Sequence, residues 1–290
     1  MNYNTLISAT DLHAQLNNPD WLIIDCRFQL QNTEAGAYAY RHGHIPNAVY
    51  MHLEHDLSSP VKANTGRHPL PDYRVLSQKL GALGVNANTQ VVAYDDAGGL
   101  FAARLWWLLR YLGHEKVAVL SGGLRAWLQQ NLTLTTQRPT PKAACVFRPY
   151  LSPQQLISAT ELQNRIAQKK TCLIDARAAE RYTGHNEPID PVAGHIPYAH
   201  NRPTSCNLDK NGLFLPASQL QAEFRQLLGT NSPEQTVHYC GSGVTACHNL
   251  LAMEYAGLKN SQLYAGSWSE WITDKNRQIV VNRTIINSYA

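Results

Sequence analysis

Thr236-Val237-His238-Tyr239-Cys240-Gly241-Ser242-Gly243-Val244-Thr245-Ala246-Cys247 is the stretch from which the rest of the chain can be read. A short apolar run gives way to a loop of small residues that opens on a cysteine. Val244, Cys247, Leu251 and Tyr255 then recur at helical spacing, and Gly257 is suited to close the helix. A thiol at the mouth of such a loop sits where main-chain N–H groups converge and the helix dipole is positive, which favours thiolate and cradles an anion carried on sulfur. Gly241 and Gly243 let the backbone curl, and Ser242 can donate a hydrogen bond. The expected site is therefore Cys240 as nucleophile, with Gly241, Ser242, Gly243, Val244 and Thr245 as its binding loop.

Composition bounds the classes of function. At 290 residues the chain accommodates two ordinary domains. A formal charge of +4 tolerates small anionic substrates and is too weak to argue for a nucleic-acid partner. No stretch approaches the roughly 18 apolar residues of a membrane span, and Met1-Asn2-Tyr3-Asn4-Thr5-Leu6 lacks the pattern of a signal peptide. Six cysteines, at 26, 145, 172, 206, 240 and 247, follow no framework spacing. Free thiols in a reducing, cytoplasmic compartment are expected. Cys247-His248 lacks further ligands at a metal-site spacing, and no phosphate-binding glycine motif points to a nucleotide, so neither metal nor cofactor is expected.

The chain then repeats itself. Ser8-Ala9-Thr10-Asp11-Leu12 returns as Ser158-Ala159-Thr160-Glu161-Leu162, each reading as a capping box. Leu22-Ile23-Ile24-Asp25-Cys26-Arg27 returns as Cys172-Leu173-Ile174-Asp175-Ala176-Arg177, and Gly43-His44-Ile45-Pro46 as Gly194-His195-Ile196-Pro197. Val92-Ala93-Tyr94-Asp95 answers Val237-His238-Tyr239-Cys240, and the segment from Gly122 to Trp127 answers that from Gly266 to Trp271. Five matches in one order mean a tandem duplication. The expected domains are residues 1–136 and 150–290, joined by a proline-bearing linker at 137–149. Within the first copy, residues 90–94 read as a strand, 100–112 as a helix and 116–120 as a strand. The second copy repeats this with a strand at 237–239, a helix from about 243 to 256 and a strand at 262–264. Such alternation predicts α/β domains, each a parallel sheet with helices on both faces.

The paired Gly-His-Ile-Pro segments, the Asp-x-Arg strand ends, the Cys240-Gly241-Ser242-Gly243-Val244-Thr245 loop and the closing Gly266-Ser267-Trp268-Ser269-Glu270-Trp271 resemble the tandem-domain rhodanese-type sulfurtransferases. The resemblance covers almost the whole chain. It implies two rhodanese-like domains and a loop cysteine that takes a sulfane sulfur as a persulfide. The implied partners are a small sulfur donor and a thiol or cyanide acceptor, with a thioredoxin-like reductant as a candidate. The loop is most similar to that of 3-mercaptopyruvate sulfurtransferases; thiosulfate-preferring members typically carry basic residues directly after the cysteine. Thiosulfate is a compact dianion that cations in the loop would stabilise, whereas mercaptopyruvate carries one carboxylate and a ketone. The loop here has no Lys or Arg, so mercaptopyruvate is read ahead of thiosulfate, which stays open as the alternative donor. A non-enzymatic sulfur-binding or interaction module is the rival of another class. A phosphatase of the same fold would carry an arginine where Ala246 stands.

The resemblance places Arg181 where the family's arginine faces the catalytic loop. The second arginine usual before Gly-His-Ile-Pro is missing from Asn186-Glu187-Pro188-Ile189-Asp190-Pro191-Val192-Ala193, and Arg202 is expected to approach from the next loop. Asp95 stands where Cys240 stands, and an acid cannot carry a sulfane sulfur, so the first domain is expected to be catalytically silent. Its Arg67-His68-Pro69-Leu70-Pro71 segment is expected to wall the pocket. Ser242 with Thr245 is read as a proton relay, with no histidine base evident. Structural roles are expected for His44 and His195 (turn hydrogen bonds), Asp25 and Asp175 (anchors of loop N–H groups) and Arg177 (an ion pair). Cys247 and the Trp106-Trp107 pair are read as packing, and His238 as pointing away from the loop.

Overall fold

Asp25 and Asp175 each end a buried strand, and each holds the arginine two residues on. Arg27 Nη2 donates to Asp25 Oδ2 at 2.6 Å and to the Gly43 carbonyl at 2.7 Å. Arg177 Nη2 donates to Asp175 Oδ2 and to the Gly194 carbonyl, both at 2.7 Å. A buried guanidinium is tolerated only when its charge and its donors are matched, and here both are. Each carboxylate also accepts the N–H of its own arginine, at 3.0 and 2.9 Å. The repeated Asp-x-Arg therefore ties each strand end to the repeated Gly-His-Ile-Pro turn. The turns are fixed further by the Tyr94 hydroxyl, which accepts from Ile45 N at 3.2 Å, and that of Tyr239, which accepts from Ile196 N at 3.1 Å. Nδ1 of His44 and of His195 donates 2.7 Å to the Tyr40 and Tyr182 carbonyls, respectively.

The computed structural model describes residues 3–281 and 284–287; Met1 and Asn2 of the amino-terminal stretch read above lie outside them. Two compact units result. The first holds Met1–Ser59, Leu70–Ser152 and Leu208–Phe214, and the second holds Pro60–Pro69, Pro153–Asn207 and Leu215–Ala290.

The first unit runs β1 (Leu6–Ile7), α1 (Ala9–Ala14), β2 (Trp21–Asp25), α2 (Ala35–His42), β3 (Ala48–Tyr50), α3 (Tyr73–Ala82), β4 (Gln90–Tyr94), α4 (Ala102–Tyr111), β5 (Val117–Leu120) and α5 (Gly123–Gln129). Its five strands form one parallel sheet in the order β1-β5-β4-β2-β3. Val92 and Tyr94 of β4 share a core with Leu12 of α1 and with Leu124 and Trp127 of α5. Helix α4, buried from Ala102 to Leu109 with both Trp106 and Trp107 inside, packs on β4 and β5.

The second unit runs α6 (Ala159–Ala167), β6 (Cys172–Asp175), α7 (Ala179–Thr183), β7 (His200–Asn201), α8 (Ala217–Leu228), β8 (Thr236–Tyr239), α9 (Ala246–Tyr255), β9 (Gln262–Leu263), α10 (Ser267–Trp271), β10 (Gln278–Val281) and β11 (Thr284–Asn287). Four of its strands form a parallel sheet in the order β7-β6-β8-β9. Alternation along β8 shows why helices cover both faces. Val237 and Tyr239 join a core with Leu162 of α6 and with Trp268 and Trp271 of α10. His238 points the other way, edge-on to Phe224 of α8 and with Nε2 3.0 Å from Met253 Sδ of α9. Strands β10 and β11 form an antiparallel hairpin that the repeat does not announce.

Helix starts follow local chemistry. Ser8 Oγ accepts from Asp11 N at 3.1 Å, and Ser158 Oγ from Glu161 N at 3.2 Å, as the capping boxes predict. Gly257, at φ +78, follows the end of α9 as the left-handed closing residue. The helix expected from about 243 begins only at Ala246. Gly243 has φ +76, which no helix accommodates, and residues 241–245 are used to wrap the cysteine instead. Among the described residues no helix is long and apolar enough to cross a membrane.

Candidate active site

Cys240 follows the last residue of β8, the strand between β6 and β9, and is 1% exposed. The curl that begins there brings the N–H of Gly243 to within 3.2 Å of its Sγ. Gly243 must be glycine on two counts: its φ is positive, and a Cβ there would lie 2.1 Å from the Ala265 carbonyl oxygen. The opposite wall comes from the Gly266-Ser267 turn. Cys240 N donates to Ser267 Oγ at 3.1 Å, Trp268 N to the Cys240 carbonyl at 3.0 Å, and Ser269 N to the Gly241 carbonyl at 2.9 Å. Both sides of the loop are thus fixed by hydrogen bonds to its main chain.

Two guanidinium groups meet over the residue after the cysteine. A methyl group at Gly241 would lie 2.8 Å from Arg67 Nη2 and 3.3 and 3.4 Å from Arg181 Nη2 and Nη1, so a side chain there would push the guanidinium groups aside. Arg181, on the short helix α7, donates from Nε to both Glu187 oxygens at 3.0 Å and from Nη2 to Asp190 Oδ2 at 2.8 Å. Arg67 Nη1 binds Asp190 Oδ1, and Arg67 N donates to Ser269 Oγ at 3.1 Å. Glu187 also takes Arg177 Nη1 at 3.3 Å. Burial is the largest influence on Asp190 and pushes its carboxyl above the usual aspartate range; Arg67 opposes this, Glu187 adds to it, and Arg181 opposes it. The guanidinium of Arg177 is held charged against burial by Asp175 and Glu187.

Arg67, which belongs to the second compact unit although it lies in the first half of the sequence, stands beside Arg181 in a site whose Gly-His-Ile-Pro turn has no arginine before it. Arg202 does not join the cluster, contrary to expectation. Its Nε donates to Asn207 Oδ1 at 2.9 Å, its Nη2 to Glu223 at 2.9 Å and to the Cys206 carbonyl at 3.1 Å, and its guanidinium lies 4.2 Å from the Phe224 ring centre. A buried arginine needs such partners, and its local loop provides them. The hydroxyl of Ser242, expected to work with Thr245, is hydrogen-bonded to His68 Nδ1 at 2.7 Å. The structure thus places a histidine against the loop where the sequence reading saw none. Cys247 Sγ donates to the Gly243 carbonyl at 3.4 Å, as a packed helical residue would.

Asp95 shows how the corresponding loop of the first unit is arranged around a carboxyl group. Its Oδ1 accepts from Ala97 N at 2.9 Å and Gly99 N at 2.8 Å, and its Oδ2 from Phe101 N at 2.8 Å and Ala102 N at 2.9 Å. Burial pushes this carboxyl up, and those four N–H groups pull it back. Leu124 N donates to the Asp95 carbonyl at 2.8 Å, the counterpart of the Trp268–Cys240 bond.

Sequence reasoning placed the Arg67-His68 segment at the pocket but assigned no role to His68, Glu187, Asp190, Ser267 or Ser269. The repeat held a signal for the last two, since Gly266–Trp271 answers Gly122–Trp127 and both turns close on the residue that follows the strand, Cys240 or Asp95. No local signal marks His68. In the first unit, ligand atoms of Glu34, His52 and His55 lie within 4.8 Å of one another. His52 is already committed there, accepting at Nδ1 from Glu54 N and His55 N and donating from Nε2 to the Thr33 carbonyl.

The rhodanese-like domain model matches residues 8–130 and again residues 158–274. A protein of Pseudomonas aeruginosa described as "Probable 3-mercaptopyruvate sulfurtransferase" is 49% identical over 276 residues, which span 94% of this chain and 97% of that one. The thiosulfate sulfurtransferase of Mus musculus is 31% identical over 280 residues, 93% of this chain and 92% of that one. Among solved structures, the 3-mercaptopyruvate sulfurtransferase from Leishmania major superposes with a TM-score of 0.82 at 28% identity, covering 92% of this chain and 74% of that one.

Proposed function

The chain belongs to the rhodanese family, and we propose that it is a sulfurtransferase that takes sulfur from 3-mercaptopyruvate onto Cys240 and passes it to a thiol or to cyanide. The observation that carries this reading is the convergence of Arg67 and Arg181 on Gly241, beside a cysteine whose sulfur accepts the Gly243 N–H. Arg67 Nε is buried with no hydrogen-bond partner among the described residues, so a donor exists for an incoming carboxylate.

In the proposed reaction the Cys240 thiolate attacks the thiol sulfur of mercaptopyruvate. An S–S bond forms as the C–S bond breaks, and the electron pair moves into the ketone to give the pyruvate enolate. Ser242, backed by His68, is placed to supply a proton to that oxygen. As the enol returns to the ketone its hydroxyl proton goes back to Ser242, the thiol proton of the donor ends on the methyl group of pyruvate, and Cys240 carries a persulfide anion. The Gly243 N–H and the helix N-terminus stabilise that charge. An acceptor thiol, or a thioredoxin-like reductant, then takes the outer sulfur and closes a ping-pong cycle. The first unit, with Asp95 at the cysteine position, is proposed to be catalytically silent. The six cysteines, all free, support a reducing, cytoplasmic setting.

Thiosulfate is the second reading, favoured by the same pair of cations and by the resemblance to the mouse enzyme. Thiocyanate formation from cyanide, with each donor, for the wild type and for Cys240→Ser, tests both. Activity with mercaptopyruvate well above thiosulfate, lost in the variant, is the expected result. A thiosulfate preference would reverse the donor assignment. Activity surviving in Cys240→Ser would overturn the persulfide mechanism, and none in the wild type would bring forward a non-enzymatic sulfur-binding module.

A further inference from the structure

We propose that Asp190 sets the charge of donor the site prefers, by neutralising the two arginines that face Gly241. The proposal rests on the reading of these arginines as the donor site. Asp190 spans the pair, with Oδ1 on Arg67 Nη1 and Oδ2 on Arg181 Nη2, and its side chain is 2% exposed. The neighbouring charges are also matched: Glu187 binds Arg181 and Arg177, and Asp175 binds Arg177. Three guanidinium groups thus face three carboxylates, and the cluster carries no net charge. It offers directed N–H groups to an incoming anion without an excess of positive field.

Such a site suits a monoanion. A carboxylate can share the guanidinium donors with Asp190, whereas a compact dianion would meet the Asp190 charge with twice the repulsion. Cations in the loop itself would offset this, and the loop has none. Asp190 is held in place by design of its loop rather than by chance: the N–H groups of Ile189 and Asp190 both donate to Glu187 Oε1, at 3.1 and 3.0 Å, between Pro188 and Pro191. Its role is to shape the field in which the donor binds, and it takes no part in bond making.

The test is the ratio of kcat/KM for thiosulfate to that for mercaptopyruvate. In Asp190→Asn, which keeps the shape and removes the charge, the ratio is expected to rise about tenfold or more, because the dianion gains about twice what the monoanion gains. Asp190→Glu, which keeps the charge, is expected to retain a ratio near that of the wild type. Arg67→Gln, which leaves Asp190 in excess, is expected to shift the ratio the other way, and it serves if Asp190→Asn does not fold. The double variant Asp190→Asn with Arg67→Gln restores neutrality and is expected to return the ratio toward the wild-type value. Equal losses for both donors in Asp190→Asn, or the same ratio change in Asp190→Glu, would overturn the proposal and leave Asp190 as a structural clamp. A wild type that uses neither donor would instead overturn the underlying reading.

Discussion

The hydroxyl of Ser242 lies 2.7 Å from Nδ1 of His68, and in the proposed reaction this pair is the proton donor beside the cysteine. The two donors make different demands on it. Mercaptopyruvate cleavage leaves an enolate that must be protonated, whereas thiosulfate cleavage leaves sulfite, which needs no proton at carbon. His68→Ala and Ser242→Ala are each expected to lower kcat for mercaptopyruvate by roughly 10²–10⁴-fold, the usual range for general acid–base groups. Thiosulfate turnover should fall far less. The double variant should be little worse than either single one, because the two act as a unit. Single-turnover persulfide formation, followed by mass, reads the step directly.

Arg181 engages Glu187 through Nε and Asp190 through Nη2, a forked arrangement that lysine cannot reproduce. Arg181→Lys is expected to raise KM for mercaptopyruvate about tenfold, equivalent to ~1.4 kcal/mol of binding. Steady-state kinetics check this, and an unchanged KM would remove Arg181 from the donor site.

Asp95→Ala leaves four N–H groups, two of them buried and two half-buried, without their acceptor. At about 1 kcal/mol or more for each, a loss of roughly 3–5 kcal/mol in the stability of the first unit follows. Urea titration should show an earlier transition in the variant, and coincident wild-type and variant curves would contradict the account.

His238 is fully buried, and burial, with a smaller contribution from Arg202, pushes its imidazole down to about 3. Its folded pKa lies below the unfolded value, so the ring stays neutral in the folded state while the unfolded chain takes up a proton. Its stability contribution is complete above about pH 6.5 and is lost as pH falls from there toward 3. At pH 5 the loss amounts to about 2 kcal/mol. Nδ1 has no partner among the described residues, so His238→Leu should cost little at pH 7 and should flatten the acid sensitivity. Denaturation midpoints at pH 7 and pH 5 for both proteins give the comparison.

Much of the molecule was legible in the sequence because the duplication made it so. Asp25 and Asp175, with Arg27 and Arg177, recur with their Gly-His-Ile-Pro partners, and one pair of ion pairs and turns explains the other. Capping serines and the apolar runs of β4 and β8 are local features whose chemistry is written within a few residues. The approach of His68 to Ser242 and of Arg67 to Asp190 is not local: 174 and 123 residues separate them. Only the folded chain brings Pro60–Pro69 into the second unit. Arg202 failed for the opposite reason. Its sequence position was suggestive, but Asn207 and Glu223 lay nearer than the site did.

The four N–H groups around Asp95 also bear on how the two copies can evolve. Seven positions separate Asp95 from the first residue of its helix, Ala102, and six separate Cys240 from Ala246. The longer loop presents its donors from residues two, four, six and seven places on, spaced for two carboxylate oxygens rather than one sulfur. A single change of Asp95 to cysteine would therefore set a thiol in a cradle of the wrong length. A deletion would have to accompany it, and each change alone would strand buried donors. Neither loop is thus converted into the other by a single substitution.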